Sequence, residues 1–232
     1  MGLARGKLAA FAEGVWMDSA PVRFLGLRLT ATMAVLRCAD EGLLLYSPLP
    51  MTPERRAAVE ALGRVAHLYA PNLQHDRWIG GWAAAFPTAR VHVPPGLGRK
   101  RPDLRIDRVH GAQPEPGLAG AIEEIGIAGF RLQESVLVHR AARTLVVADL
   151  LQNIGRPVDR WTRIYSRTMG FYDCIALSRF IRWTCFSDRK AARRSLDGLL
   201  AQPFDRLIVG HGAPLAAGGQ QALAAAYAWL GR

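Results

Sequence analysis

The sequence has little cysteine and almost no lysine. Three cysteines, Cys38, Cys174 and Cys185, stand in 232 residues and form no Cys-x-x-Cys pair. That argues against a disulfide framework and a zinc knuckle, and it fits a reducing, cytoplasmic setting. The only lysines are Lys7, Lys100 and Lys190, so the formal net charge of +11 is carried almost entirely by arginine. Arginine's planar fork suits phosphate and carboxylate groups, but charge balance speaks of solubility before it speaks of function. No apolar run approaches the roughly 20 residues that a membrane span needs. The basic N-terminal stretch runs into Glu13 and Asp18 without a sustained apolar core, so no secretory signal is expected. Hydrophobic residues make up 50% of the chain and charged ones 21%, which excludes wholesale disorder. The length suffices to bury a substantial core, and one domain over residues 1–232 is expected.

The chain then reads as short strands alternating with helices. Residues 14–17 suggest a strand, and residues 32–37 and 42–46 suggest a hairpin around Asp40-Glu41-Gly42. Thr52-Pro53-Glu54 has the pattern of a helix start, with a capping hydroxyl, Pro at the first position and acid in the first turn. Strand, helix and strand follow at 65–70, 80–86 and 89–93, and residues 94–118 form a Pro-, Gly- and Arg-rich loop in which Gly96-x-Gly98 is a turn. A second half repeats the plan. It has strands at 122–125, 134–139 and 144–149, an arginine- and aromatic-rich helical segment over about 156–201, a strand at 204–211 and a terminal helix at 219–230. Two halves that each open with a hairpin predict an α/β protein of two mixed sheets sandwiched between helices.

Ligands gather at loops just past the carboxyl ends of strands in such folds. Three of these loops carry acid/base or metal-ligating groups: Asn72-Leu73-Gln74-His75-Asp76, Asp149 and His211. The hairpin turn at Ala141-Ala142 makes paired positions sum to about 283 (an expected register rather than a measured one), which sets Glu134 opposite Asp149 and carries His139 away from it. Two facing carboxylates repel unless a cation or a proton lies between them. His67 and His92, inside apolar strands, read as core or edge residues, and His110 lies in a polar loop.

The stretches YAPNLQHDRWIGGW, RTLVVADLLQN and IVGHGAP, with YSPLPMTPE before them, resemble landmarks of the metallo-β-lactamase fold, an αββα sandwich with a metal site between its halves. The resemblance covers about residues 14–230, and more closely it is to a divergent branch with a Pro-Asn-x-x-His loop in place of the usual His-rich motif. That motif, His-x-His-x-Asp-His-x-Gly-Gly, anchored on Gly80-Gly81, sets Leu73, His75, Arg77 and Trp78 at its ligand positions, so only His75 matches. The next motif's histidine is also absent from Gly129–Glu134. The resemblance therefore implies a reduced site of His75, Asp149 and His211, with Glu134 or Asp76 as additional ligands and with Asn72, Arg77 and Trp78 facing substrate. Arg77 would stand where a second metal needs an acid.

Three readings of that site follow. One divalent metal ion (zinc, iron or manganese) is held by His75, Asp149 and His211, with a position open for water, as in a metal-dependent hydrolase. Alternatively no metal binds, and the fold serves as a binding or scaffold protein. In the third reading His75 and His211 act as acid and base beside Asp149. A small anionic molecule is the expected partner. Nucleic acid is the weaker alternative, resting on the groups Arg99-Lys100-Arg101 with Arg105 and Arg108, Arg156/Arg160/Arg163/Arg167, and Arg189-Lys190 with Arg193 and Arg194. The aromatics of the helical segment are expected to pack on the core or on a second copy in a homodimer.

Overall fold

The structure is a computed structural model and describes residues 7–111 and 115–231. The first half contains β1 (Ala9–Ala12), β2 (Val15–Phe24), β3 (Leu27–Arg37), β4 (Leu43–Tyr46), α1 (Pro53–Glu60), β5 (Val65–Tyr69), α2 (Ile79–Ala85), β6 (Arg90–Val93), α3 (Leu97–Lys100) and β7 (Arg108–Val109). The second contains β8 (Ile122–Gly126), β9 (Ser135–His139), β10 (Thr144–Val146), β11 (Gln152–Asn153), α4 (Arg160–Thr168), α5 (Arg179–Thr184), α6 (Arg189–Leu200), β12 (Arg206–Ile208), β13 (His211–Gly212) and α7 (Gly219–Ala226), before a short 3-10 turn at Ala228–Leu230.

Strands β1 to β7 form one sheet in sequence order, antiparallel up to β4 and parallel from β4 to β7. A second sheet has the order β12-β10-β9-β8, and β11 pairs with β13 beside it. Strands β4, β5, β9 and β10 are buried along their whole length because both faces of their sheets are covered. Successive side chains point to opposite faces. Leu43 and Leu45 therefore meet Val59 and Trp82 under the helices, while Leu44 and Tyr46 enter the layer between the sheets. In the second sheet Val136 and Val138 face Leu196, Leu199 and Leu223, while Leu137 faces the first sheet. These three apolar layers define the αββα sandwich.

Helix α1 starts as its sequence requires: Thr52 Oγ1 accepts from the Arg55 N–H at 3.2 Å and Pro53 opens the first turn. Three expectations change. Strand β2 runs on to Phe24, and its hairpin with β3 turns at Leu25 and Gly26, both with positive φ. Asp18, Pro21 and Arg23 hide this arm from an apolar pattern, because its outer half is exposed. The 156–201 segment is not one helical run. Its helices begin at Arg160, Arg179 and Arg189, and Asp159 and Asp188 cap α4 and α6. Arg156 therefore lies off the α4 face and pairs with Asp173 at 2.6 Å. The loop expected over 94–118 contains α3 and β7.

Four cations of that loop are engaged with acids. Lys100 and Arg101 pair with Asp76, Arg101 also with Asp103, Arg105 with Asp107, and Arg108 with Glu124. Among the described residues no helix is long and apolar enough to cross a membrane.

Candidate metal centre

Four parallel-running strand ends deliver the site. Ser47 follows β4, Asn72 and His75 follow β5, Asp149 follows β10, and His211 follows the short segment after β12. The register around the second hairpin pairs Thr144 with His139 and Val146 with Leu137, which sets Glu134 beside Asp149 as the sequence implied. His139 lies at the other end of that hairpin, against the Arg37 carbonyl and the Ala142 N–H.

His75, Asp149 and His211 converge, with ligand-type atoms all within 4.8 Å of one another. Asp149 Oδ2 lies 3.4 Å from His75 Nε2, and Asp149 Oδ1 lies 3.4 Å from His211 Nε2. Each ring is fixed from behind. His75 Nδ1 meets Ser47 Oγ at 2.7 Å, and His211 Nδ1 meets the Thr30 carbonyl at 2.8 Å. A carbonyl oxygen only accepts, so His211 Nδ1 carries a hydrogen, and Nε2 is the atom that faces the carboxylate. A proton or a divalent cation between Nε2 and the carboxylate would bind both. An imidazole whose far nitrogen donates to a backbone carbonyl is also the usual arrangement behind a metal. The residues present fit a divalent metal ion.

Burial alone raises the Asp149 pKa, but the His75 and His211 imidazoles outweigh it and hold the carboxyl well below its ordinary range. Burial alone depresses His75, yet the Asp149 charge wins and raises it. Burial, and then the Asp149 charge, pushes Glu134 up to about 6.

Glu134 has a different task from the one expected. Its Oε1 accepts from the Ala148 N–H at 2.8 Å and the Leu150 N–H at 3.3 Å. Its Oε2 accepts from the Asp149 N–H at 2.8 Å and from Asn72 Nδ2 at 2.9 Å. Four donors fill four lone pairs, which leaves none for a metal; Glu134 clamps the backbone that carries Asp149. Asp76 also leaves the site: Lys100 Nζ at 2.6 Å and Arg101 at 3.4 Å draw its carboxylate toward α3.

The three residues expected to face substrate are placed otherwise. Asn72 is wholly buried; its Nδ2 donates to Glu134 and, at 3.0 Å, to Asp149, while its Oδ1 accepts from the N–H groups of Gln74 and His75. It shapes the ligand loop from beneath. Arg77 is exposed, its guanidinium 5.2 Å from the centre of the Trp78 ring, and it lines a 440 Å³ hollow with Gly80, Gly81 and Arg101. Trp78 packs half-buried against the core under the helices. Ser47 and Thr30 were missed, because nothing in YSPLP or in the β3 sequence marks a residue that acts through an imidazole's far nitrogen.

Close backbone approach explains the glycines on either side of His211. A side chain at Gly210 would meet the Ala148 carbonyl at 2.6 Å, and one at Gly212, where φ is +108°, would meet the Asn153 carbonyl oxygen at 1.9 Å. The Thr32 N–H donates to the Gly210 carbonyl at 2.9 Å, which ties this loop to the first sheet. A cleft of about 1230 Å³ opens beside His211, lined by Ser19, Arg23, Arg28, Thr30, Asn153 and Gly212 among others.

No family model matches the sequence. No curated protein matches it either. Solved structures do. The DIM-1 metallo-β-lactamase exposed to ceftazidime is 11% identical, with a TM-score of 0.66 and 100% of both chains covered. The metallo-β-lactamase FIM-1 from Pseudomonas aeruginosa, in a mono-zinc form, is 11% identical with a TM-score of 0.64, covering 97% of this chain and 96% of that one. A metal-soaked flavodiiron core from Synechocystis is 14% identical with a TM-score of 0.68, covering 97% of this chain and 60% of that one. The two packed sheets and the helices outside them are thus shared across wide sequence distances: the chain has the metallo-β-lactamase fold.

Proposed function

We propose that this chain is a mononuclear metal-dependent hydrolase of a small anionic substrate. The observation that carries the proposal is the convergence of His75, Asp149 and His211 with both imidazoles fixed by Ser47 and Thr30. Imidazole nitrogen and carboxylate oxygen together suit zinc, iron or manganese. The chemistry that such an ion supplies is the acidification of water near neutral pH and the polarisation of a substrate oxygen.

The chain's own residues do the rest. Asn72 and Glu134 hold Asp149 in place, and the flanking imidazoles keep its carboxyl ionised. Ser47 and the Thr30 carbonyl fix the ring planes of His75 and His211. Arg23 and Arg28 in the adjoining cleft give an anionic group a partner beside the ligands. Arg77 has no part in this reading, and with only three ligand-type groups gathered here among the described residues, a second ion at this centre is not proposed.

Metal analysis tests the proposal. His75→Ala and His211→Ala are each expected to lower bound metal by one equivalent relative to wild type. Hydrolysis of a panel of phosphate and carboxylate esters is expected to disappear in both and to return to chelated wild type on adding metal. Unchanged metal content in both variants would overturn the ligand assignment.

A further inference from the structure

A second buried group of ligand-type side chains lies across strands β5 and β6. His67 stands midway along β5, and His92 lies in β6 opposite Tyr69. There His67, His92 and Glu115 bring one ring nitrogen each and a carboxylate oxygen within 4.8 Å of one another. All three are buried, at 3%, 0% and 7% exposure.

Their hydrogen bonding does not close. His67 Nδ1 and His92 Nε2 lie 2.9 Å apart and share one hydrogen. If His67 donates, its Nε2 is a bare buried lone pair and His92 Nδ1 is a buried N–H with no acceptor. If His92 donates, the two roles exchange. Either way both far nitrogens are without a partner, and so is Glu115 Oε2, since Arg90 reaches only Oε1, at 3.0 Å. Each such buried polar atom is costly when nothing satisfies it. The Asn72–Glu134 network shows the contrast, because every lone pair there finds a donor.

We infer that His67, His92 and Glu115 form a second metal site, distinct from the His75 centre, for a divalent ion of the zinc class. Two imidazoles and one carboxylate suit such ions, whereas calcium and magnesium need more oxygen donors. Gly117 leaves open the volume beside His67 Nε2, where a Cβ would stand 2.6 Å from that nitrogen. Asp40 and Arg90, both about half-exposed, mark the way in from solvent. Cys38 and Asp40 also lie within 4.8 Å of His67 and flank the site.

Zinc titration of chelator-treated protein, read by calorimetry and by metal content after gel filtration, tests the inference. Two equivalents are expected in wild type. Glu115→Gln and His92→Gln should each lose the second equivalent and keep the first. The double variant His75→Ala/His211→Ala should lose the first and keep the second. Melting curves of each variant establish that it is folded. A folded wild type whose zinc stoichiometry is unchanged by both Glu115→Gln and His92→Gln overturns the inference. If the His75 centre holds no zinc, the two outcomes separate: wild type then binds one equivalent that is insensitive to His75→Ala and lost in Glu115→Gln.

Discussion

Asn72→Asp probes how the ligand loop is held. The replacement keeps the shape of the side chain and leaves Oδ1 to accept from Gln74 and His75, but it turns the donor shared by Glu134 and Asp149 into an oxygen. Were the new carboxyl to ionise, a third negative charge would sit between two buried carboxylates. It is expected to stay protonated in the fold. Holding it so at pH 7, against an ordinary value near 3.9, costs about 4 kcal/mol at about 1.4 kcal/mol per pH unit. Its one hydrogen then serves a single carboxylate, and the bond lost at the other adds about 1.5–3 kcal/mol. The strong hydrogen bond from the new hydroxyl offsets part of this, so the expected loss is about 5 kcal/mol, or about 10–20 °C in Tm for a chain of this length. The sign of the pH dependence follows. Above about pH 4 the folded variant binds one more proton than its unfolded chain, so its stability falls as pH rises. The gap to wild type should therefore narrow by about 3 kcal/mol between pH 7 and pH 5. Urea unfolding of chelator-treated protein, followed by tryptophan fluorescence at both pH values, measures it. A variant within about 1 kcal/mol of wild type at pH 7, or a gap that does not narrow at pH 5, refutes this account of the loop.

Two further predictions concern other parts of the molecule. Gly212→Ala places a methyl group 1.9 Å from the Asn153 carbonyl oxygen at a positive φ; it should cost about 1–3 kcal/mol or more and weaken metal binding through His211, and a variant with unchanged Tm and metal affinity would contradict the close approach. His110 is pushed down to about 4 by burial, with Arg108 also lowering it and Glu124 opposing, and its ring stacks 4.2 Å from Tyr69. Its folded value lies below its unfolded one, so the unfolded chain binds the extra proton and stability falls as pH drops from about 6.5 toward 4. His110→Phe keeps the stack and removes that titration, so from pH 7 to pH 5 wild type should lose about 2 kcal/mol more than the variant; parallel pH profiles would count against a neutral buried imidazole.

Much of the site was legible as position. The apolar runs ending at Asp149 and His211 marked strand ends, and the turn at Ala141-Ala142 fixed the register that sets Glu134 beside Asp149. What Glu134 does there was not legible. A carboxylate beside another suggests a shared cation, and only the course of residues 148–150 shows three backbone N–H groups aimed at it. Asp76 misled for a similar reason: its proximity to His75 in sequence says nothing of Lys100 and Arg101, which arrive from α3. Aligning the loop on Gly80-Gly81 gave Arg77 a part in the site, but an exposed chain stacked on Trp78 follows from the local turn instead. His67 and His92 read as ordinary strand residues, and their pairing with Glu115 depends on two neighbouring strands and a distant loop.

The sequence by itself determined the layers. Short apolar runs, capped helices and turn residues are local features, and together they demand two sheets packed between helices. It also determined that the chain has few cysteines and a strong arginine excess. The tertiary structure alone decided which polar side chains are candidate ligands and which are supports. That choice depends on the directions of lone pairs and N–H groups contributed by segments far apart in the chain. No periodicity records such directions: the same carboxylate type serves at Asp149 as a candidate ligand, at Glu134 as a backbone clamp and at Asp76 as an ion-pair partner.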